Sequence, residues 1–364
     1  MSIGLPNLEI AFLAAAQETA NRSKRGVVVV VVRDAKAQGL HDLFRATEIP
    51  VELGEANRRY VERAFTGTSR GGPSKVLLLV LAPAAEPLEG AEDTSLVDGL
   101  AALTGYSADY LALPPEVSEA ECAAAAEWVK ARRAGYDPIK AVLPHTAADD
   151  MGVVNFTTDG IRVGANTYTA ADYCSRIAGV LAGMPSEWAA TYAALAEITA
   201  LPAQTREEQN AAIGRGELIL LHDGKKAKIA RAVNSLVTLP EGGKEDWKKV
   251  KIVETMDLMT YFARTTVEDE YMGCSNTYAN KCLLLVAFGT YYLELEAQGL
   301  LVEKSSWASI DLEEQTKWLK ASGVETQGMT DQQLREADTG SWVFLALGGH
   351  ITDAQEDFVL RNFV

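Results

Sequence analysis

Basic residues and long apolar runs are the two scarce features of this sequence. There are 34 Lys and Arg residues against 50 Asp and Glu, which gives a net charge of −16. A general nucleic-acid binder needs an excess of Lys and Arg to neutralise phosphates, so that class is not expected. The longest apolar candidate, Val27 to Val32, has the length of a strand and not of a membrane helix. The opening "MSIGLPNLEIAF" has no basic region ahead of its apolar residues, so a secretory signal peptide is not expected.

Motifs for catalysis and for metal binding are also lacking. The four cysteines, Cys122, Cys174, Cys274 and Cys282, are widely spaced and form no CxxC pair, which indicates neither a zinc site nor a disulfide framework. No GxSxG motif occurs, and the glycine-rich "GTSRGGPSK" matches neither the Walker pattern nor GxGxxG. We therefore expect no cofactor and no bound metal.

One histidine is the best candidate for an enzyme. His145 follows Pro144 at the carboxyl end of a predicted strand, where α/β sheets place ligands, and Asp149 and Asp150 are near it in sequence. A cytosolic hydrolase or transferase that uses His145 with these acids is the alternative function. The competing interpretation, which we favour, is that His145 is an ordinary loop residue.

Helical and strand patterns alternate along the chain. Val27 to Val32 and Lys75 to Leu81 are β-branched and apolar runs typical of buried strands. Ser118 begins a helix that ends at Gly135, and "IKAVLP" reads as the next strand. This spacing predicts βαβ units and a mainly parallel sheet, so the fold class is α/β, or α+β over several domains.

Both ends of the chain are unusually apolar. Leu8, Ile10 and Phe12 recur at period two near the start, and the chain ends in "FVLRNFV", which contains Phe358, Leu360 and Phe363. Chain ends are commonly polar and frayed. A polar connector separates each run from the main body. The pattern predicts two extended β-strand arms that are buried against another surface.

A basic segment stands out in this acidic chain. Between Asp223 and Lys251 there are eight basic residues and four acidic ones. Two interpretations stay open: a solvated hairpin followed by the start of a helix, or a surface for an acidic partner. The residues of the possible partner surface are Lys225, Lys226, Lys228, Arg231, Lys248 and Lys249.

The order of several stretches resembles the tail sheath proteins of contractile phage tails and related injection particles, especially the short sheaths of Gram-positive prophages. The resemblance covers nearly the whole chain. The stretches that carry it are "GLPNLEIAF", "RGVVVVVVRD", "ADYCSRIAGVLAGMP", "ATYAALAEI", "GELILLHDGKKAKIARAVNSL", "VKIVETMDLM", "RTTVEDEYMG", "DLEEQTKWLKASG" and the ending from "TGSWVFLALGG" to "FVLRNFV". None of them is catalytic.

The resemblance implies a non-enzymatic subunit that stacks in six-membered rings around an inner tube and contracts to drive that tube through an envelope. It implies a subtilisin-like α/β body without protease residues and arms that complete a shared sheet in neighbouring subunits. Expected partners are copies of itself, the tail tube, the baseplate and the tail terminator, with assembly in the bacterial cytoplasm. The expected domains are an N-terminal arm (1–22), a β-rich domain (23–92), the subtilisin-like domain (93–240), a C-terminal sheath domain (241–350) and a C-terminal arm (351–364).

A third class, a passive tube or capsid-like protein, is also compatible with the sequence. Such a protein would form one lattice only, whereas a sheath would form an extended and a contracted one. The sequence leaves open whether the particle is a phage, a bacteriocin-like killer or another injection system.

Overall fold

The computed structural model describes residues 26–83 and 95–362. These residues form two compact units. The larger unit contains residues 26–257 and 354–362, and the smaller unit contains residues 258–353. Leu8, Ile10, Phe12 and Phe363 of the predicted arms lie outside the described residues.

A seven-stranded sheet forms the centre of the larger unit. The strands of this unit are β1 Val27–Arg33, β2 Gly39–Leu43, β3 Lys75–Leu81, β4 Tyr110–Ala112, β5 Lys140–Pro144, β6 Val153–Phe156, β7 Ile161–Val163, β8 Asn166–Tyr168, β9 Ala194–Leu195, β10 Glu217–Leu218, β11 Leu220–His222 and β12 Ala227–Ile229. The order in the central sheet is β10-β6-β5-β4-β1-β3-β2. Every neighbouring pair is parallel except β2 with β3, so the predicted mainly parallel sheet is confirmed.

Two layers of helices cover this sheet. The covering helices are α1 Glu55–Phe65, α2 Ser95–Ala102, α3 Glu119–Ala134 and α4 Ala170–Ala182. A further helix, α5 Arg206–Gly214, packs through Ala212 in a separate small cluster with Ile219 and Ala230. Successive β1 residues point to opposite faces: Val28 and Val30 pack in the core that includes α1 and α4 residues, while Val29 and Val31 pack in the core that includes α2 and α3 residues. Burial on both faces explains why the strand is an unbroken valine run and not an alternating one.

Local sequence signals set the ends of the helices. The Ser118 hydroxyl accepts the Glu121 backbone N–H at 3.3 Å, and the Glu121 carboxylate accepts the Ser118 N–H at 2.9 Å, which makes a capping box before α3. The helix ends at Gly135, with Arg132 and Arg133 in its last turn, as the macrodipole favours. The helix predicted from Ser118 to Gly135 is confirmed.

A buried ionic cluster fixes the first part of helix α6 (Val250–Thr266) within the larger unit. Lys140, on β5, is 1% exposed, and its Nζ lies 2.6 Å from Asp257 Oδ2 and 3.2 Å from Glu254 Oε1. Arg133 donates to Asp257 at 2.8 Å, and the Tyr110 hydroxyl donates to Glu254. Two cations therefore face two carboxylates, so the charges compensate one another away from water.

The smaller unit is a helical core with a two-stranded sheet. It contains the rest of α6, α7 Tyr278–Ala297, β13 Trp307–Ile310, α8 Leu312–Ala321, α9 Asp331–Glu336 and β14 Leu345–Gly348. Phe262 of α6 stacks on Tyr291 of α7 with ring centroids 3.7 Å apart. A 3₁₀ turn, Glu245–Lys248, precedes α6, and a π turn, Val267–Tyr271, follows it. Among the described helices, none is long and apolar enough to cross a membrane.

The predicted domain boundaries differ from the observed ones. Strands β1 and β3, from predicted domain 23–92, lie in the same sheet as β4, β5, β6 and β10 from predicted domain 93–240, so the boundary at 92/93 is wrong. The boundary predicted at 240/241 lies within the larger unit, which continues to residue 257. The predicted arm 351–364 is divided, since residues 351–353 belong to the smaller unit. Parallel pairing joins strands that are far apart in sequence, and the amino-acid pattern of one strand does not indicate which other strand it pairs with.

Helices α1 and α4 approach so closely that one glycine is required between them. A Cβ at Gly179 would lie 1.9 Å from the Ala64 carbonyl oxygen, a backbone atom that cannot rotate away. We expect Gly179→Ala to destabilise the larger unit by about 2 kcal/mol or more, as overpacking does. The matched control is Gly214→Ala, since nothing lies within 4 Å of a Cβ there. Thermal and urea unfolding of both variants test this, and equal midpoints would contradict the close contact.

Candidate functional site

The C-terminal apolar run is exposed in the structure. Phe358, Val359 and Leu360 are 69%, 87% and 83% exposed. Residues 352–362 adopt neither helix nor strand. Three consecutive large apolar side chains that extend into water are a costly surface for a protein that works alone. The structure therefore leaves this predicted interface uncovered within the described part of the subunit.

The residues immediately before this run are held by a small polar cluster, here called the clamp, which consists of Glu356, Asp357, Arg231 and Thr191. Glu356 is nearly buried, and its carboxylate lies 3.2 Å from Arg231 Nε and accepts the Thr191 hydroxyl. Arg231 also donates to Asp357 at 2.6 Å. Thr191 is itself fixed, because its Oγ1 accepts the Ala232 N–H at 3.0 Å. The acidic connector is thus attached to the larger unit immediately before the exposed residues begin.

An apolar groove runs beside β14 in the smaller unit. The sheet there has two strands, β13 and β14, paired antiparallel from Ile310 with Leu345 to Trp307 with Gly348. Among the described residues no strand pairs with the other edge of β14. A cavity of about 560 Å³ lies between this strand and α7, lined by Leu345 and Leu347 of the strand and by Leu284 and Phe288 of α7. A strand edge without a partner, next to an apolar groove, can bind an extended segment as an additional strand.

One end of the groove is polar. Lys281, one turn before Leu284 on α7, is 3% exposed, and its Nζ donates to Thr339 Oγ1 at 3.0 Å. Burial lowers the pKa of Lys281, and the nearby Asp338 charge only partly offsets this. Asn276 donates through Nδ2 to the Gly340 and Trp342 carbonyls, while its buried Oδ1 has no hydrogen-bond partner among the described residues. Sequence reasoning missed this site, although Lys281 is the single charged residue in the apolar stretch from Tyr278 to Tyr292.

The basic segment is largely neutralised by its own acids. Lys228 Nζ lies 2.5 Å from Asp223 and is also 5.3 Å from the Tyr192 ring centroid. The Lys228 and backbone hydrogen bonds lower the pKa of Asp223. Lys248 and Lys249 pair with Glu245 and Asp246, one helical turn away. Arg231 belongs to the clamp. Of the six residues predicted to face a partner, only the exposed Lys225 and Lys226 make no ion pair with the described residues.

His145 does not meet the acids that sequence proximity suggested. Its Nε2 lies 2.9 Å from Asp159, and both side chains are about half exposed. Asp149 instead accepts the backbone N–H groups of Val237 and Thr238, and these hydrogen bonds lower its pKa. The Asp150 carboxylate accepts the Gly152 N–H. Both acids thus fix loops. The predicted group of His145 with Asp149 and Asp150 is wrong, because both carboxylates accept backbone N–H groups and His145 contacts Asp159 instead.

The buried cysteines behave as packing residues. Cys122 and Cys174 are buried, and burial raises the pKa of both thiols, which makes them poor nucleophiles. Within residues 26–83 and 95–362, no three His, Cys, Asp or Glu side chains are close enough together to hold a metal ion.

The fold is that of known sheath proteins. The structure is similar to the sheath tail protein Lin1278 from Listeria innocua, with a TM-score of 0.68 and 14% identity over 92% of this chain and 98% of that one. It is also similar to the helical sheath of the anti-feeding prophage in its contracted state, with a TM-score of 0.66 and 14% identity over 93% of each chain. These likenesses define the class, a mixed α/β protein with the sheath-protein fold.

The family follows from sequence. Residues 89–235 match the family model of the phage tail sheath protein central domain. The chain is 32% identical over 364 residues to the tail sheath protein of Clostridium phage phiCD119, across 98% of this chain and 99% of that relative. This chain belongs to the phage tail sheath protein family. The expectation of a structural sheath subunit is confirmed, and the relatives do not support the enzyme that would use His145.

The clamp predicts a protease-sensitive variant. Removing the Arg231 side chain by Arg231→Ala leaves the Glu356 carboxylate without its cation, so the connector should leave the surface more often. We expect a glutamate-specific protease to cleave after Glu356 about tenfold faster, because cleavage follows the population of the open form. Lys225→Ala, which removes an exposed cation of the same segment, is the control. If both variants and the parent protein are cleaved at the same rate, the clamp does not hold the connector.

Proposed function

We propose that this subunit polymerises as stacked six-membered rings around an inner tube, and that the polymer contracts to drive the tube through a target envelope. Family membership supports the sheath role. The fold shared with the anti-feeding prophage sheath, whose contracted state is known, supports a contractile polymer over a passive tube. The single observation that carries the proposal is that one chain contains both an exposed apolar run and an apolar groove beside a strand edge that has no partner among the described residues.

Strand exchange between subunits joins these two features. The run around Phe358 and Leu360 of one subunit adds to the free edge of β14 in another, and its apolar side chains enter the groove. The backbone ladder supplies affinity, and alternate side chains set the register. The N-terminal arm with Leu8, Ile10 and Phe12 makes an equivalent contact with a further subunit. In the assembled lattice each subunit would therefore be both a donor and an acceptor.

The larger unit would act as a rigid body during contraction. Its mainly parallel sheet is covered on both faces, which supports a subtilisin-like α/β body. Its buried Lys140 is paired with carboxylates, so this body has a structural and not a catalytic role. Contraction would rotate such bodies without refolding them, while the exchanged arms keep neighbours connected. The driving free energy would come from interfaces between subunits that form only in the shorter lattice, so no nucleotide is required.

The remaining contacts are with other tail components. Lys225 and Lys226, at the turn of the β11–β12 hairpin, are the members of the basic segment with charge left for an acidic inner tube. Baseplate and tail terminator proteins would cap the two ends of the polymer. Assembly would take place in the bacterial cytoplasm, and the product would be part of a phage tail or a phage-tail-like particle.

The exchanged arm predicts a variant that folds but does not assemble. Each large apolar side chain buried on assembly contributes about 1.5–3 kcal/mol, and Phe358 and Leu360 share one face of an extended chain. We expect Phe358→Asp with Leu360→Asp to give a soluble subunit with a nearly unchanged unfolding midpoint and no tubes in electron micrographs. Val359→Asp changes the opposite face and should reduce assembly less. If the double variant unfolds or aggregates, the run packs within its own subunit.

The basic hairpin predicts a separate defect. Lys225→Glu with Lys226→Glu should weaken co-assembly with the tube, most of all at low salt, where charge interactions are least screened. Contacts between sheath subunits should be unaffected. The same change in net charge at two exposed lysines elsewhere, Lys36→Glu with Lys320→Glu, is the control. Unchanged sedimentation of tube with sheath at low salt would show that the hairpin is only solvated.

A further inference from the structure

The polar end of the groove has unused hydrogen-bonding capacity. The Lys281 ammonium has three N–H groups, and Thr339 Oγ1 is its one acceptor among the described residues. Asn276 lines the same groove, and within the described part of the chain its Oδ1 is a buried acceptor without a donor. A buried polar group without a partner is costly, and a buried cation more so. The groove therefore offers apolar contacts along its length and a donor with an acceptor at one end.

The C-terminal run has the matching order of side chains. In an extended chain Phe358, Leu360 and Asn362 lie on one face. That face has two large apolar groups followed by an amide, and an amide carries both an acceptor and donors. Asn362 interrupts the apolar alternation of the run, and an all-apolar groove would give no reason for it. The face of Leu8, Ile10 and Phe12 continues to Gly4, Pro6 and Ala14, so the N-terminal run has no polar member there.

The lengths also correspond. From Lys281 to Phe288 helix α7 rises by about 10 Å, and from Phe358 to Asn362 an extended strand spans about 13 Å. A segment antiparallel to α7 would place Phe358 near Phe288, Leu360 near Leu284 and Asn362 at Lys281. Shifting such a strand by two residues would put Leu360 or Val364 at the ammonium, and shifting it by one would exchange its faces.

We propose that the acceptor groove of one subunit binds residues 358–362 of a second copy, and that Lys281 fixes the register by donating to the side-chain carbonyl oxygen of Asn362, while the Asn362 N–H groups donate to Asn276 Oδ1. This inference rests on the strand exchange proposed above and names its register-determining pair. Lys281 acts here as a specificity residue. The apolar contacts provide attraction, and the polar pair excludes slipped registers because they would leave the cation without an acceptor from the bound strand.

A double-mutant cycle on the full-length protein tests the pair. The variants are Lys281→Met, Asn362→Leu and both together, and the readouts are the subunit concentration at which tubes form and the unfolding midpoint of the unassembled subunit. We expect each single change to raise that concentration about tenfold or more, the cost of a buried polar group left without its partner. The double variant should return to within about threefold of the parent, because both groups are then apolar.

A charged variant makes the test specific. With Lys281 present, Asn362→Asp should assemble better than Asn362→Leu, because the carboxylate still accepts from the ammonium although it has no N–H group for Asn276. With Lys281→Met it should fail, because a carboxylate is then left in an apolar groove. This arm also serves if Lys281→Met folds poorly, since Asn362→Leu and Asn362→Asp can be compared on the parent groove. Additive effects across the cycle, or equal loss for Asn362→Leu and Asn362→Asp, would overturn the pairing.

The proposed strand exchange can fail separately. If Phe358→Asp with Leu360→Asp still forms tubes, the exchange itself is wrong and the register inference fails with it. If that variant forms no tubes while the cycle is additive, the exchange holds and only the Lys281–Asn362 pair is overturned. A changed unfolding midpoint with unchanged assembly would assign Lys281 a structural role alone, which also overturns the inference.

Discussion

A two-stranded sheet leaves backbone hydrogen-bonding groups along both of its outer edges, and this constraint governs the smaller unit. Strands β13 and β14 satisfy each other, but a single pair of strands is only marginally stable without further support. Helix α7 supports one face through Leu284 and Phe288. Within the described residues the free edge of β14 and the groove beneath it remain, and soluble proteins commonly protect such edges because they pair with other chains. We propose that in this sheath subunit the unprotected edge serves assembly.

The larger unit has the opposite character, because its interior leaves little room for deformation. Strand β1 is buried on both faces, and close contact at Gly179 leaves no space between α1 and α4. The ionic cluster of Lys140 with Asp257 and Glu254 fixes the first turns of α6 on the sheet. Breaking a buried pair by removing one partner costs several times more than a surface pair contributes. These features favour a unit that keeps its internal structure when it moves.

The local count of basic residues overstates the free positive charge of the basic segment, because several of its basic side chains form ion pairs. The segment with the greatest local excess of bases loses most of that excess to Asp223, Glu245, Asp246 and the connector acids. Arg231 and Glu356 are separated by 125 positions, yet their contact sets where the exposed run begins. An acidic connector that looks flexible in sequence is thus partly held in place, and the point at which the arm leaves the unit is defined.

The sequence by itself determined the class of fold, the ends of the helix from Ser118 to Gly135, the family and the apolar character of the chain ends. These features depend on local periodicity, as in Val27 to Val32, or on short capping motifs, as at Ser118. It also located Phe358 and Leu360 as candidate interface residues. Only the tertiary structure decided that β1 and β3 share a sheet with β4, β5, β6 and β10, that Asp159 and not Asp149 faces His145, and that Lys281 ends an apolar groove. Each of these depends on residues that are distant in sequence, and their meeting is set by sheet order and helix packing, which have no local signal.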